Sequence, residues 1–160
     1  MSHRWAALVL VLALCAMTPR NAAGQNSSTP RGHSAKGGLG QNFPNPLNPE
    51  TTIPFSVGDV DANCVGDSQL YTVRLRILNV VAREVAVPVF AGAAATSTAA
   101  VSSTVNSQPI RNLRLPCGRY NAYWNGKEGG TNREAASGVY IYQLFINNRL
   151  VTSMKMTVIK

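Results

Sequence analysis

Residues 41–57 read QNFPNPLNPETTIPFSV, and within them the chain changes character. Three X-Pro steps (Phe43-Pro44, Asn45-Pro46, Asn48-Pro49) remove backbone donors and hold the preceding residues extended, so no helix forms there. Asn45 and Asn48 are placed to fold their side chains onto nearby main chain as Asx turns, which predicts an ordered lead-in rather than a slack linker. Immediately downstream, Thr51, Ile53, Phe55 and Val57 alternate with Thr52, Pro54 and Ser56, the period of a half-buried strand. Pro54 has no N–H to give a ladder, which predicts an edge position for that strand.

Downstream the period of two recurs. Tyr71, Val73, Leu75 and Ile77 oppose Thr72, Arg74, Arg76 and Leu78, a strand with one wet face. A turn at 79–82 leads to Val85, Val87 and Val89, which alternate again, with Pro88 implying an edge or a bulge. Residues 91–108 are rich in Ala, Ser and Thr without a periodic face; together with Pro109 they read as a low-complexity surface loop over 91–109, with a short helix as the alternative. Leu113 and Leu115, a turn at Pro116-Cys117-Gly118, and a strand presenting Tyr120, Ala122 and Trp124 follow. Asn125-Gly126 is a strong turn dipeptide. Residues 139–147 and 150–159 read as a hairpin joined at Asn147-Asn148, the first strand apolar on both faces and so central, the second pointing Leu150, Thr152, Met154, Met156 and Val158 one way. Some six or seven short strands and no amphipathic helix indicate an all-β, antiparallel β-sandwich filling one domain, residues 41–160.

Upstream, residues 1–24 read as an export signal. His3 and Arg4 begin it, Trp5 to Met17 is apolar, and Ala22-Ala23-Gly24 offers a cleavage site. A retained membrane anchor and a lipoprotein processed at Cys15 remain open as alternatives, the latter disfavoured by the bulk of Leu14. Residues 25–40 are Ser, Gly, Asn and Pro rich and read as a disordered linker. Loss of the signal leaves 13 basic against 7 acidic residues, a net charge of about +6. The bases are scattered rather than clustered, which argues against nucleic acid and for a solvated surface; an anionic envelope polysaccharide is the partner that such a charge would attract in an exported protein. Cys64 and Cys117 are then the remaining cysteines, and an even pair in an exported domain favours a disulfide.

The residues for catalysis are sparse. His33 is the one histidine after residue 24 and sits in the linker, so no Ser/His/Asp or Cys/His set assembles in the domain. Asp59, Asp61 and Asp67 share a loop, but exposed Asp in turns is far commoner than a Ca²⁺ site. Gly37-Gly38 and Gly129-Gly130 lack the Lys and Ser/Thr of a phosphate loop. No enzyme, metal or cofactor is expected.

Four segments taken together resemble a known family. QNFPNPLNPETTIPFSV with VRLRILNVVAREVAV, then CGRYNAYWNG, then ASGVYIYQL and KMTVIK are similar, in order, to the C-terminal sorting domain (type A) read by the type IX secretion system of Bacteroidetes, whose immunoglobulin-like or fibronectin-III-like fold of about seven strands is shared with flagellar hook-capping proteins. Asn42, Pro44, Asn45, Pro46, Asn48 and Pro49 match its lead-in motif; Trp124 and Gly126 its tryptophan turn; Ser137, Gly138, Val139 and Tyr140 its strand-opening motif; Lys155, Met156 and Lys160 its terminal one. Ala82 stands where the family usually has Gly, and Asn125 where it usually has Asp. The resemblance implies a non-catalytic protein sorted through periplasm to the cell surface or medium, with type IX translocon components as partners and no stable transmembrane span once the signal is removed. A small secreted structural or interaction module of the envelope is the alternative. Tolerance of an extension beyond the terminal motif separates the two.

Overall fold

The computed structural model describes residues 36–62, 64–93 and 107–160. The export signal expected at 1–24, the linker up to residue 35 and residues 94–106 of the expected loop lie outside the described residues. Nine strands follow in order: β1 Gly37–Leu39, β2 Thr51–Val57, β3 Tyr71–Leu78, β4 Glu84–Ala86, β5 Val89–Ala93, β6 Leu113–Leu115, β7 Gly118–Trp124, β8 Gly138–Ile146 and β9 Arg149–Val158. They form two antiparallel sheets, ordered β1-β2-β7-β5 and β4-β3-β8-β9, with β6 pairing β3. The all-β sandwich is therefore present, with nine strands among the described residues rather than about seven. The one helical piece among the described residues is a 3-10 turn, Val60–Ala62. None is long and apolar enough to cross a membrane among the described residues.

Alternation does what it promises in β2 and β3, where every second residue is buried. Ile53, Val57, Val73, Leu75, Ile77, Tyr120, Ala122, Tyr142, Leu144 and Ile146 are completely or almost completely shielded and form the layer between the sheets. Tyr120 lies 5.5 Å from Phe55 and 5.7 Å from Phe90, ring centre to ring centre. β8 is internal, as its apolar faces require, and Asn147 and Asn148 turn it into β9 with φ of 50° and 63°, the left-handed pair of a two-residue hairpin. Ala82 also has a left-handed φ, 59°, in the β3–β4 turn.

Five expectations need correction. First, Pro54 does not make β2 an edge, because β1 pairs on its outer side. In an antiparallel strand a residue's N–H and C=O face the same neighbour. The Pro54 carbonyl accepts the Gly40 N–H (2.8 Å), so its missing donor also faces Gly40, whose carbonyl instead accepts the Tyr142 hydroxyl (2.9 Å). Second, residues 36–40 belong to the sandwich and not to the linker. The composition that suggested disorder is what lets β1 fit: a Cβ on Gly37 would lie 2.4 Å from Ile146 Cδ1 and 2.5 Å from the Ser56 carbonyl.

Third, Val85, Val87 and Val89 do not form one strand. The chain leaves the second sheet after Ala86 and joins the first at Val89, and Pro88, with no donor for either ladder, occupies the crossover. Fourth, the loop expected at 91–109 is shorter at both ends. β5 continues to Ala93 opposite Tyr120, the Phe90 N–H donates to the Gln108 carbonyl (2.8 Å), and Pro109 bridges Val89. Fifth, Leu150 faces outward, 52% exposed. The register opposes Leu144 to Thr152 and Phe145 to Leu150, so Val151 is an extra residue that reverses the faces and turns inward against the core.

Candidate functional site: one end of the sandwich

The lead-in is held by a buried asparagine. Asn42 is 1% exposed; its side-chain amide donates to the Pro44 carbonyl (3.1 Å) and the Thr51 hydroxyl (3.0 Å), and that hydroxyl donates to the same carbonyl (3.0 Å). Its backbone N–H donates to the Tyr142 hydroxyl (3.3 Å). Burial pushes the Tyr142 phenol upward in pKa, so near neutral pH it keeps the proton it gives to Gly40. Phe43 and Thr52 exchange two backbone bonds of 2.9 Å. The peptide bonds before Pro44, Pro46 and Pro49 are all cis.

Next the lead-in reaches β9, whose outer edge would otherwise be open near its end. The Asn45 carboxamide oxygen accepts the Thr157 N–H (3.0 Å), so this side chain bonds across to β9 instead of making the local turn expected of it. The Leu47 N–H donates to the Thr157 carbonyl (2.9 Å), and the Ile159 N–H to the Leu47 carbonyl (3.3 Å). Leu47, 1% exposed, is the plug that keeps the segment there.

The tryptophan turn closes over the same place. Trp124 is buried against Tyr140, ring centres 5.9 Å apart, and its indole N–H donates to the Lys127 carbonyl (2.9 Å). The Asn125 side chain accepts the Lys127 N–H (3.1 Å), the turn bond that Asp would also supply. Gly126 has φ 70°, and a Cβ there would sit 2.0 Å from the Pro49 carbonyl oxygen, so this turn and the lead-in touch backbone to backbone. The Ala135 N–H donates to the Gly126 carbonyl (2.7 Å), and the Tyr140 hydroxyl to the Ala136 carbonyl (2.9 Å). The strand-opening and terminal motifs are direct ladder partners: Gly138 opposes Val158, Val139 opposes Thr157 and Tyr140 opposes Met156.

Residues of all four matched motifs thus converge on one end of the sandwich. Asn42, Trp124, Gly126, Tyr140 and Met156 are buried there, whereas Pro44, Asn45, Pro46, Asn48, Pro49, Ser137, Gly138, Val139, Lys155 and Lys160 are exposed. Lys160 pairs with Glu134 (3.3 Å), two half-exposed groups whose attraction water largely screens. A small cleft runs between Asn48, Pro49, Glu134, Ile159 and Lys160. Sequence reasoning missed Leu47, Tyr142 and Glu134 in this site. Leu47 did carry a signal, as the single large aliphatic residue among the prolines and asparagines of the lead-in.

At the opposite end, Cys64 and Cys117 form the expected disulfide, Cα atoms 5.6 Å apart. The neighbouring carboxylates have separate partners: Asp59 with Lys36, Asp61 with Arg119 (3.8 Å), and Asp67 with the Tyr71 hydroxyl (2.6 Å). The Lys36 hydrogen bond lowers the Asp59 pKa. Burial, with Asp67 behind it, pushes the Tyr71 phenol up to about 12.

No known family model and no curated protein matches the chain. Among solved structures it is similar to the Pseudomonas fluorescens alkylpurine DNA glycosylase AlkC bound to DNA containing an abasic site analog, with 12% sequence identity and a TM-score of 0.42 over 78% of this chain. The match spans 30% of that protein's length, and a likeness of this size carries no argument for fold or activity.

Proposed function

We propose that this chain is an exported, non-catalytic protein whose β-sandwich acts as a secretion and surface-sorting signal of the type IX kind, with translocon components reading its lead-in and closing strand. The observation that carries the reading is the convergence: the lead-in meets three motifs from the far part of the sequence at one end, where it lies along the outer edge of β9. A recognition surface made this way exists only in the folded domain. It combines exposed prolines and asparagines with Lys155 and Lys160 and leaves most backbone groups of the β9 end already paired.

Deleting residues 155–160 would be a poor test, because Met156 and Val158 are buried and the domain would lose core with the signal. The informative comparison is the full chain against the same chain extended by a short polar tag after Lys160, both produced in a host with type IX machinery. The unextended chain should reach the surface or medium, and the tagged one should accumulate, folded and oxidised, in the periplasm. Equal distribution of the two folded proteins overturns the sorting reading and leaves the envelope packing module in its place.

A further inference from the structure

Positive charge is unevenly compensated across this molecule. The chain has seven carboxylate side chains. Five are in ion pairs with Lys36, Arg111, Arg119, Arg133 and Lys160, and the other two, Glu50 and Asp67, accept tyrosine hydroxyls. Strands β3, β6, β8 and β9 carry no carboxylate at all. On the outer face of their sheet the register sets Arg114 opposite Thr72, Arg74 opposite Phe145, Arg76 opposite Gln143 and Lys155 opposite Ile141. Among the described residues none of these four cations is in an ion pair.

The face is also ordered. The Arg74 and Arg76 guanidinium carbons lie 4.4 and 4.7 Å from the centre of the Phe145 ring, an arrangement that fixes both planar forks at little further cost in side-chain freedom. Arg76 Nε donates to the Gln143 side-chain oxygen (3.0 Å), and Gln143 Nε2 donates to the Ser153 hydroxyl (3.2 Å), so one hydrogen-bonded row crosses three strands. Leu150 and Val139, 52% and 44% exposed, flank it. The result is a surface with two cations held in place and two more on the same sheet, hydroxyl and amide groups among them, and small apolar patches beside them.

We infer that this face binds an acidic polysaccharide that carries carboxylates. Arginine forks engage carboxylates in bidentate fashion, the polar row suits sugar hydroxyls, and the exposed aliphatic groups suit the C–H faces of sugar rings. Nucleic acid fits less well, since the aromatic ring of this face is occupied by two guanidiniums rather than open for a base. The preference for a glycan also rests on the exported location proposed above.

The test is a titration of the purified, oxidised full chain with polygalacturonate, beside neutral dextran, duplex DNA and phosphatidylglycerol vesicles. Polygalacturonate should bind, dextran should not, and added salt should weaken the complex. The double variant R74Q/R76Q should lose about tenfold or more in affinity, and R83Q/K127Q, which sheds the same charge elsewhere, less than about twofold. R114Q/K155Q, changed at exposed positions, should also weaken binding and guards against a folding defect in the first variant. Equal losses in face and control variants, tighter binding to DNA or vesicles, or no binding to polygalacturonate would each overturn the assignment. Since the titration needs no secretion, failed sorting with intact glycan binding removes only the preceding reading, and the reverse outcome removes only this one.

Discussion

The two ends of the sandwich are closed by different means. At one, a polar loop through Asp59, Asp61 and Asp67, whose Val65 is 83% exposed, is tied to the β6–β7 turn by Cys64–Cys117. At the other, a segment just as rich in turn residues is secured by Leu47, Asn42 and Asn45 with no covalent link. The contrast lies in what each segment can bury. A loop with little to put into the core gains most from a crosslink that restricts the unfolded chain, whereas the lead-in supplies a plug and satisfies its own polar groups.

The strongest way to break the comparison is at the covalent end. Replacing both cysteines by alanine, which opens a link across a sequence separation of 53, should lower the unfolding free energy by about 4 kcal/mol in denaturant titration. At the other end, Gly126→Ala drives a methyl into the Pro49 carbonyl and strains a left-handed turn, and should cost about 3 kcal/mol. A loss under about 1 kcal/mol would mean that the lead-in is not fixed there. Asn42→Ala, which strips a buried donor from Pro44 and Thr51, should cost about 2 kcal/mol by the same measurement.

Alkali should weaken both ends more gradually. The Tyr71 pKa is raised from its usual 10 to about 12, mainly by burial, so the folded state holds that proton more tightly than the unfolded chain. The stabilisation is full below pH 10 and is lost as pH rises toward 12. Thermal melts across that window should fall, and Tyr71→Phe should flatten the slope. Tyr140 and Tyr142 are shifted the same way by burial and leave a residual slope in that variant. The smallest effect belongs to Ala82→Gly, which relieves a φ of 59° and should stabilise the domain by about 0.5 kcal/mol after the extra freedom of glycine in the unfolded chain is counted.

Local patterns made much of the fold legible. Alternation in β2, β3 and β7 named the core residues correctly, and the two cysteines of residues 41–160 pointed to the one bond they form. What escaped were features set by a partner strand. Nothing in RLVTSMKMTV announces that Val151 is an extra residue, because the reversal exists only relative to β8. Pro54 reads as an edge signal until Tyr142, far along the chain, takes the Gly40 carbonyl. Gly37 looks like slack until Ile146 and the Ser56 carbonyl leave no room for anything larger. The matched motifs were visible one by one, and their meeting was not, since it depends on contacts such as Asn42 with Tyr142 and Asn45 with Thr157.

Those contacts join residues separated by 100 and 112 positions. Chains are made from the N-terminus, so the lead-in emerges long before β9 exists to receive it. Non-local pairing of this kind must pay for closing a long loop before it gains anything, which makes it slow. Asn42 and Phe43 meet Thr51 and Thr52 close by in sequence, but until β9 arrives Asn45 and Leu47 lack the partners that hold them. The clasp is therefore a clock as well as a joint: its bonds to β9 can form only once the residues around Thr157 are there to receive them.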